Sequence, residues 1–273
     1  DEEKLDANYA DAYFEAERLL YFNENYKTAL ENIDKFLALK PSSIDGKSYK
    51  AKILYYLGQK DQAEALIDEV LKAEPNDEGA NRIKATIDFE QKEYTNALSE
   101  YGKVPEDFLE IEDFINISKT NLALGDTVKA LAILDSAIRI DPDYERTYFE
   151  QGKIFLYQGK YADAVSAFNK SIGLNTPNVT VYYAKGLALL LDNKIDDAAS
   201  SFKILVEKDP KNAEGYANLG KIYYKKYLEA KNAGNATDSQ KYKDDAIMYL
   251  QESLKNDSTN EQAAKFLTEL QSK

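Results

Sequence analysis

The sequence predicts an all-α fold, an α-solenoid in which short paired helices stack in a row. Three observations predict it. Helix-stopping prolines Pro41, Pro75, Pro142 and Pro210 recur at 34 residues or close to a multiple of it. An alanine recurs at one place in every unit of that length, and small residues recur at a second place where bulky ones could meet them.

Units starting at Ala10, Ile44, Glu78, Ile111, Glu145, Val179 and Ala213 are spaced by 34, 34, 33, 34, 34 and 34 residues. The twentieth place then holds Ala29, Ala63, Ala97, Ala130, Ala164 and Ala198, and Ala246 joins them once an insertion in the last unit is removed. The eighth place holds Ala51, Ala85, Ser118, Gly152, Gly186 and Gly220, with Glu17 the one large residue. The twenty-fourth is bulky throughout: Ile33, Ile67, Tyr101, Leu134, Phe168, Phe202 and Leu250. The fourth is aromatic in Tyr13, Phe114, Tyr148, Tyr182 and Tyr216, with Lys47 and Asn81 departing. Asp88 and Asn121 depart from the apolar pattern of the eleventh.

Each unit has room for two helices of about 12 to 15 residues, a length at which an isolated helix is marginal in water, so stacking has to supply the stability. The breaks inside units read Asn23-Glu24-Asn25, Gly58-Gln59-Lys60, Gly125-Asp126, Gly159-Lys160 and Asp192-Asn193-Lys194, residues that tolerate the left-handed geometry ending a helix. Residues 1–9 form a stub or tether ahead of the array, which spans 10–258. The acidic run Glu106–Asp113, with Pro105 just before it, lies where one unit is a residue short, and a change of stacking angle is expected there. An insertion of 14 residues, at about 225–243, is expected to lengthen the last hairpin. Residues 259–273 read as a capping helix, with Ala263, Ala264, Phe266, Leu267 and Leu270 on one face to cover the open end of the stack.

Composition excludes several classes of function. A net charge of −13 with only four arginines repels a phosphate backbone, so nucleic acid is not an expected partner. With no Cys and no His, the chain has no disulfide, no thiol nucleophile, no thiolate or imidazole metal ligand and no neutral-pH proton shuttle; no cofactor, no metal and no catalysis are expected. Carboxylate pairs such as Asp196-Asp197 and Asp244-Asp245 read as solvated surface. No apolar run reaches the roughly 18 residues of a membrane span. The sequons at Asn116, Asn169, Asn178, Asn235 and Asn256 are short enough to arise by chance.

The small residues at the eighth and twentieth places, opposite the bulky twenty-fourth, resemble the tetratricopeptide repeat. That resemblance covers residues 10 to about 258 and implies seven helix-turn-helix repeats in a right-handed superhelix, acting as a scaffold that binds another protein or a peptide. It also implies that the first helix of each pair lines the concave face, through the second, fifth, ninth and twelfth places. The ninth place carries Arg18, Lys52, Lys119, Lys153 and Lys221, with Thr86 and Leu187 the exceptions. Phe14, Tyr21, Tyr55, Phe89, Phe149, Tyr183 and Tyr224 flank this ladder at the fifth or twelfth places. Cations beside aromatic faces suit an extended peptide bearing carboxylates. The lysine, asparagine and arginine clamp by which some family members hold a chaperone's terminal carboxylate is not reproduced, although Asn116 and Lys119 share a helix.

An alternative is a structural assembly adaptor of a bacterial cell envelope, acting through its end faces or the long final hairpin. The start at Asp1-Glu2-Glu3-Lys4, with no Met, is what removal of a leader or trimming would leave. Abundant Lys, Asn, Asp and Tyr with scarce Arg and no Trp suggest a low-GC bacterial source. The expected compartment is the envelope, periplasmic or lipid-anchored, ahead of the cytoplasm, and the expected state is a monomer or weak oligomer.

Overall fold

The computed structural model describes residues 25–272, and every regular element among them is helical. Fourteen α-helices occur among the described residues: α1 Tyr26–Leu39, α2 Ile44–Tyr56, α3 Lys60–Ala73, α4 Glu78–Glu90, α5 Tyr94–Tyr101, α6 Ile111–Ala123, α7 Thr127–Ile140, α8 Glu145–Tyr157, α9 Tyr161–Gly173, α10 Thr180–Leu191, α11 Ile195–Lys208, α12 Ala213–Asn232, α13 Ala236–Asn256 and α14 Glu261–Gln271. A 3-10 turn, Glu106–Phe108, precedes α6. The stub and the first helix expected of the first unit, with Phe14, Arg18 and Tyr21, lie outside the described residues.

The chain forms two compact units, one ending at Ile140 and one starting at Asp141. In the first, α2 pairs with α3, α4 with α5 and α6 with α7; in the second, α8 pairs with α9, α10 with α11 and α12 with α13, and α14 packs on the last pair. Side-chain caps start several helices: Ser43, Asp77, Asn212, Asn235 and Asn260 each accept a backbone N–H three residues on, at 2.7 to 3.1 Å.

Small residues let the paired helices touch. Ala29, Ala63, Ala97, Ala130, Ala164, Ala198 and Ala246 are all fully buried. A Cβ placed on Gly152 would lie 2.5 Å from the Phe168 ring of the same hairpin, one on Gly186 2.7 Å from Phe202, and one on Gly220 2.6 Å from Leu250. Where the eighth place is Ser118, its hydroxyl donates to the Ala130 carbonyl at 2.9 Å, a bond only closely approaching helices can make. The bulky residue opposite thus fills the space a side chain would have taken, at native packing density.

Between the helices of a pair the backbone passes through the left-handed region at Gly58, Gly125, Gly159 and Asn193, and also at Lys92, where φ is +65°. The fourth-place departure at Asn81 keeps a bond that the aromatic makes elsewhere. Its Nδ2 donates to the Pro75 carbonyl at 3.0 Å, as the Tyr148 hydroxyl donates to that of Pro142 at 2.9 Å. In the second unit a continuous core runs from α10 to α14, with Phe202, Leu219, Leu250, Ala263 and Leu270 fully buried. Helices α12 and α13 span 20 and 21 residues, against 8 to 14 in the other paired helices among the described residues.

Candidate functional site

In the second unit, the helices that begin each pair leave an open groove of about 620 Å³. Helix α10 supplies Leu187, Leu190 and Leu191, and α8 supplies Leu156; across from them α12 presents Asn218, Lys221, Ile222, Tyr224, Lys225 and Leu228. Ile195 and the ring of Phe266 on α14 complete the wall. The apolar surface continues past the rim, because Leu191 is 58% exposed and Tyr157, next to Leu156, 76% exposed. Exposed apolar patches with polar rims are common where proteins meet partners.

Lys221 and Lys225 stand one helical turn apart and exposed on the α12 side. Lys221 makes no ion pair with any described residue, and Lys225 makes one with Glu229 at 4.0 Å between two side chains that are both more than half exposed, a contact worth little in water. Tyr224 is buried. Its hydroxyl donates to Glu269 at 2.5 Å and its ring lies 5.0 Å from that of Phe266. The Glu269 carboxylate, with burial adding to it, pushes the Tyr224 phenol up to about 12.

The other residues expected on this face lie outside that lining. Phe149 packs on Phe168 with ring centroids 5.9 Å apart, and Lys153 sits over the Phe149 ring at 5.4 Å while pairing with Glu150 at 2.7 Å. Tyr183 meets Phe202 edge-on at 5.9 Å, and burial, followed by the nearby Glu214, pushes its phenol up. Sequence reasoning missed the leucines: Leu156 and Leu190 share the twelfth place with the aromatics chosen there, and Leu187 was set aside as an exception among lysines.

The first unit offers a different surface. A cavity of about 380 Å³ is lined by Tyr49 and Lys52 of α2, Asp77, Glu78, Gly79 and Arg82 at the start of α4, and Phe108. Arg82 donates through Nε to Asp113 at 2.7 Å and through a terminal nitrogen to Glu110 at 2.9 Å, while Lys52 lies 3.6 Å from the same Glu110 oxygen. Two cations therefore meet two carboxylates within the protein. Burial pushes the Lys52 ammonium down, with Glu110 opposing, and pushes the Asp113 carboxyl up, with Arg82 opposing. Partial burial would raise Glu110, but Arg82 and Lys52 hold it below its ordinary value.

Tyr55 donates to Glu90 at 2.9 Å, and Lys60 pairs with the same carboxylate at 2.6 Å. Burial and that bond push the Tyr55 phenol up. Phe89 packs on Tyr94 at 6.1 Å, and Lys119 is half-buried on α6. Arg82, at a fifth place, and the carboxylates of Glu110 and Asp113 were not anticipated; the sign of their charge on facing helices was the available signal.

No described group of acidic residues has the arrangement of a metal site, and no described helix is long and apolar enough to cross a membrane.

Residues 50–106, 149–213 and 183–261, more than half of the chain, match the model of the tetratricopeptide repeat. Among curated proteins the chain is similar to the human protein O-mannosyl-transferase TMTC1, 24% identical over 163 residues, which is 57% of this chain but only 18% of that protein. Among solved structures it is similar to pilF of Pseudomonas aeruginosa, with a TM-score of 0.64 at 18% identity, covering 75% of this chain and 94% of that one. It is also similar to PilW, a type IV pilus biogenesis factor, with a TM-score of 0.60 at 21% identity, covering 82% and 98% respectively. At such identities these structures show the fold alone.

Proposed function

The chain belongs to the tetratricopeptide-repeat family, and from that premise we propose that it is a protein-binding scaffold whose second unit holds a segment of a partner protein in the groove between α8 and α12. The carrying observation is the leucine-lined groove itself, bordered by two exposed lysines in a chain of net charge −13. Apolar side chains of the partner would displace water from Leu156, Leu187, Leu190 and Leu228, which supplies the affinity. Lys221 and Lys225 would favour carboxylates at its edge, supplying orientation and association rate. Lys52, Arg82 and Lys119 in the first unit would play a smaller part, since Glu110 and Asp113 already satisfy two of these cations. The mannosyl transfer named for the human relative is that protein's activity, and the shared stretch is 18% of it.

Panning a random peptide display library against the chain and against Leu190→Asp tests the reading. Recovered peptides should combine apolar with acidic residues and lose binding to the variant. Peptides that hold both proteins equally would contradict it.

A second reading, an assembly adaptor of a bacterial envelope, draws on the extended α12–α13 hairpin, whose length exceeds that of every other described pair. The likeness to a pilus biogenesis factor suits it. Light scattering separates the two: removal of residues 229–240 should dissolve an oligomer if the hairpin assembles it, and leave peptide capture intact if the groove is the working surface.

A further inference from the structure

Resting on the groove reading above, we propose that the segment held there is an amphipathic α-helix with acidic residues flanking its apolar stripe, and not a chain in extended form. The walls are themselves helices, so their backbone N–H and C=O groups are spent within α8, α10 and α12, and no strand edge is available among the described residues. An extended segment brings one backbone donor and one acceptor per residue into the groove, and those facing the floor would meet leucine methyls.

The polar side chains of the lining can serve few of them. The Tyr224 hydroxyl donates to Glu269, and one Asn218 N–H donates to the Glu214 carbonyl at 2.9 Å, so the rest of that single amide can meet at most one residue of a bound segment. Beyond that amide, the lining offers two ammonium groups, Lys221 and Lys225, both exposed. A helix arrives with its backbone already bonded and presents only side chains, so it loses nothing on leaving water at this surface. Its apolar residues, recurring every three to four positions, can alternate with Leu187, Leu190 and Leu191, which recur at the same intervals on α10. The two lysines, spaced by one turn, match glutamates spaced by one turn on the edge of such a stripe.

Two synthetic probes test this by fluorescence anisotropy. Both are peptides of about 14 residues, four helical turns, built from Leu, Glu and Ala. One is locked as a helix by a hydrocarbon staple; the other has two prolines at its centre and otherwise the same composition. The locked probe should bind at least about tenfold more tightly than the proline probe, and Leu190→Asp should weaken it by a similar factor. Lys221→Glu with Lys225→Glu, at exposed positions that leave the fold intact, should weaken it in low salt.

If the proline probe binds as tightly as the locked one and both are lost with Leu190→Asp, the groove stands and the helical occupant is wrong. If the locked probe binds but neither variant affects it, the groove reading falls and takes this inference with it. Failure of both probes to bind at millimolar concentration overturns both.

Discussion

Tyr224 on α12 donates its hydroxyl to Glu269 on α14 at 2.5 Å, so a residue lining the groove also fastens the terminal helix to the stack. The bond raises the phenol to about 12, above the value near 10 of an unfolded chain. Its contribution is therefore complete below about pH 10 and is lost as pH rises through about 12. Tyr224→Phe should cost about 1 to 2 kcal/mol at neutral pH, where a charge-assisted hydrogen bond is broken. Ultraviolet titration should show one late-ionising tyrosine fewer in the variant than in the parent, where burial also delays Tyr55 and Tyr101. Equal numbers of tyrosines delayed past pH 11 in parent and variant would argue against the bond.

Gly186 and Gly173 make opposite predictions. Gly186→Ala forces a methyl against Phe202 and should destabilise by about 1 to 3 kcal/mol in urea unfolding, with Phe202→Leu restoring part of the loss. Gly173 ends α9 with open space around it and an ordinary φ, so Gly173→Ala should stabilise by up to about 1 kcal/mol. Equal effects at the two sites would mean that the helices are not in contact at Gly186.

Asp113 and Glu110 bind the same arginine from different environments. Asp113 is buried, and Asp113→Asn leaves a largely buried guanidinium with one charged partner fewer, at an expected cost of about 3 kcal/mol. Glu110 has half of its side chain in water, and Glu110→Gln should cost no more than about 1 kcal/mol. Denaturant midpoints of the two variants decide it, and a larger loss for Glu110→Gln would reverse the assignment.

Asp88 is a buried carboxylate on α4 whose Oδ2 has no hydrogen-bond partner among the described residues. Burial raises its pKa, with Lys84 opposing and Glu93, Glu100 and Glu64 assisting. Raised above the unfolded value, the group favours folding while protonated and costs stability as pH rises through its folded pKa. Leu54 and Leu189 occupy the matching place in other units and are buried there. Asp88→Leu should therefore stabilise the protein by about 1 kcal/mol or more at pH 7. The advantage should shrink as pH falls through the raised folded value and be smallest below about 3, where the parent carboxyl is largely neutral in both states. A gain that does not change with pH would remove ionisation as the cause.

What was legible in the sequence was the part under steric control. The glycines of the eighth place recur because a larger residue would collide with Phe168, Phe202 or Leu250, the alanines of the twentieth are fully buried, and such steric limits leave a periodic signature. The surface was harder to read, because nothing periodic records what a helix face is for. A lysine at the ninth place does not reveal what its ammonium meets: Lys153 sits over Phe149 and pairs with Glu150, whereas Leu187, an exception in that series, borders the groove. Arg82 finds its partners 28 and 31 residues away, a spacing only the stacked fold makes short. Lys92 holds a left-handed backbone where neighbouring units use glycine or asparagine, and no local rule would place a lysine there.

The most direct measurement is a methyl NMR titration of leucine-labelled protein with the staple-locked acidic helix. The signals of Leu156, Leu187, Leu190, Leu191 and Leu228 should move together to saturation while those of Leu54 and Leu134, in the first unit, stay in place. Saturable binding that leaves those five methyl sets unmoved would contradict the groove as the working surface.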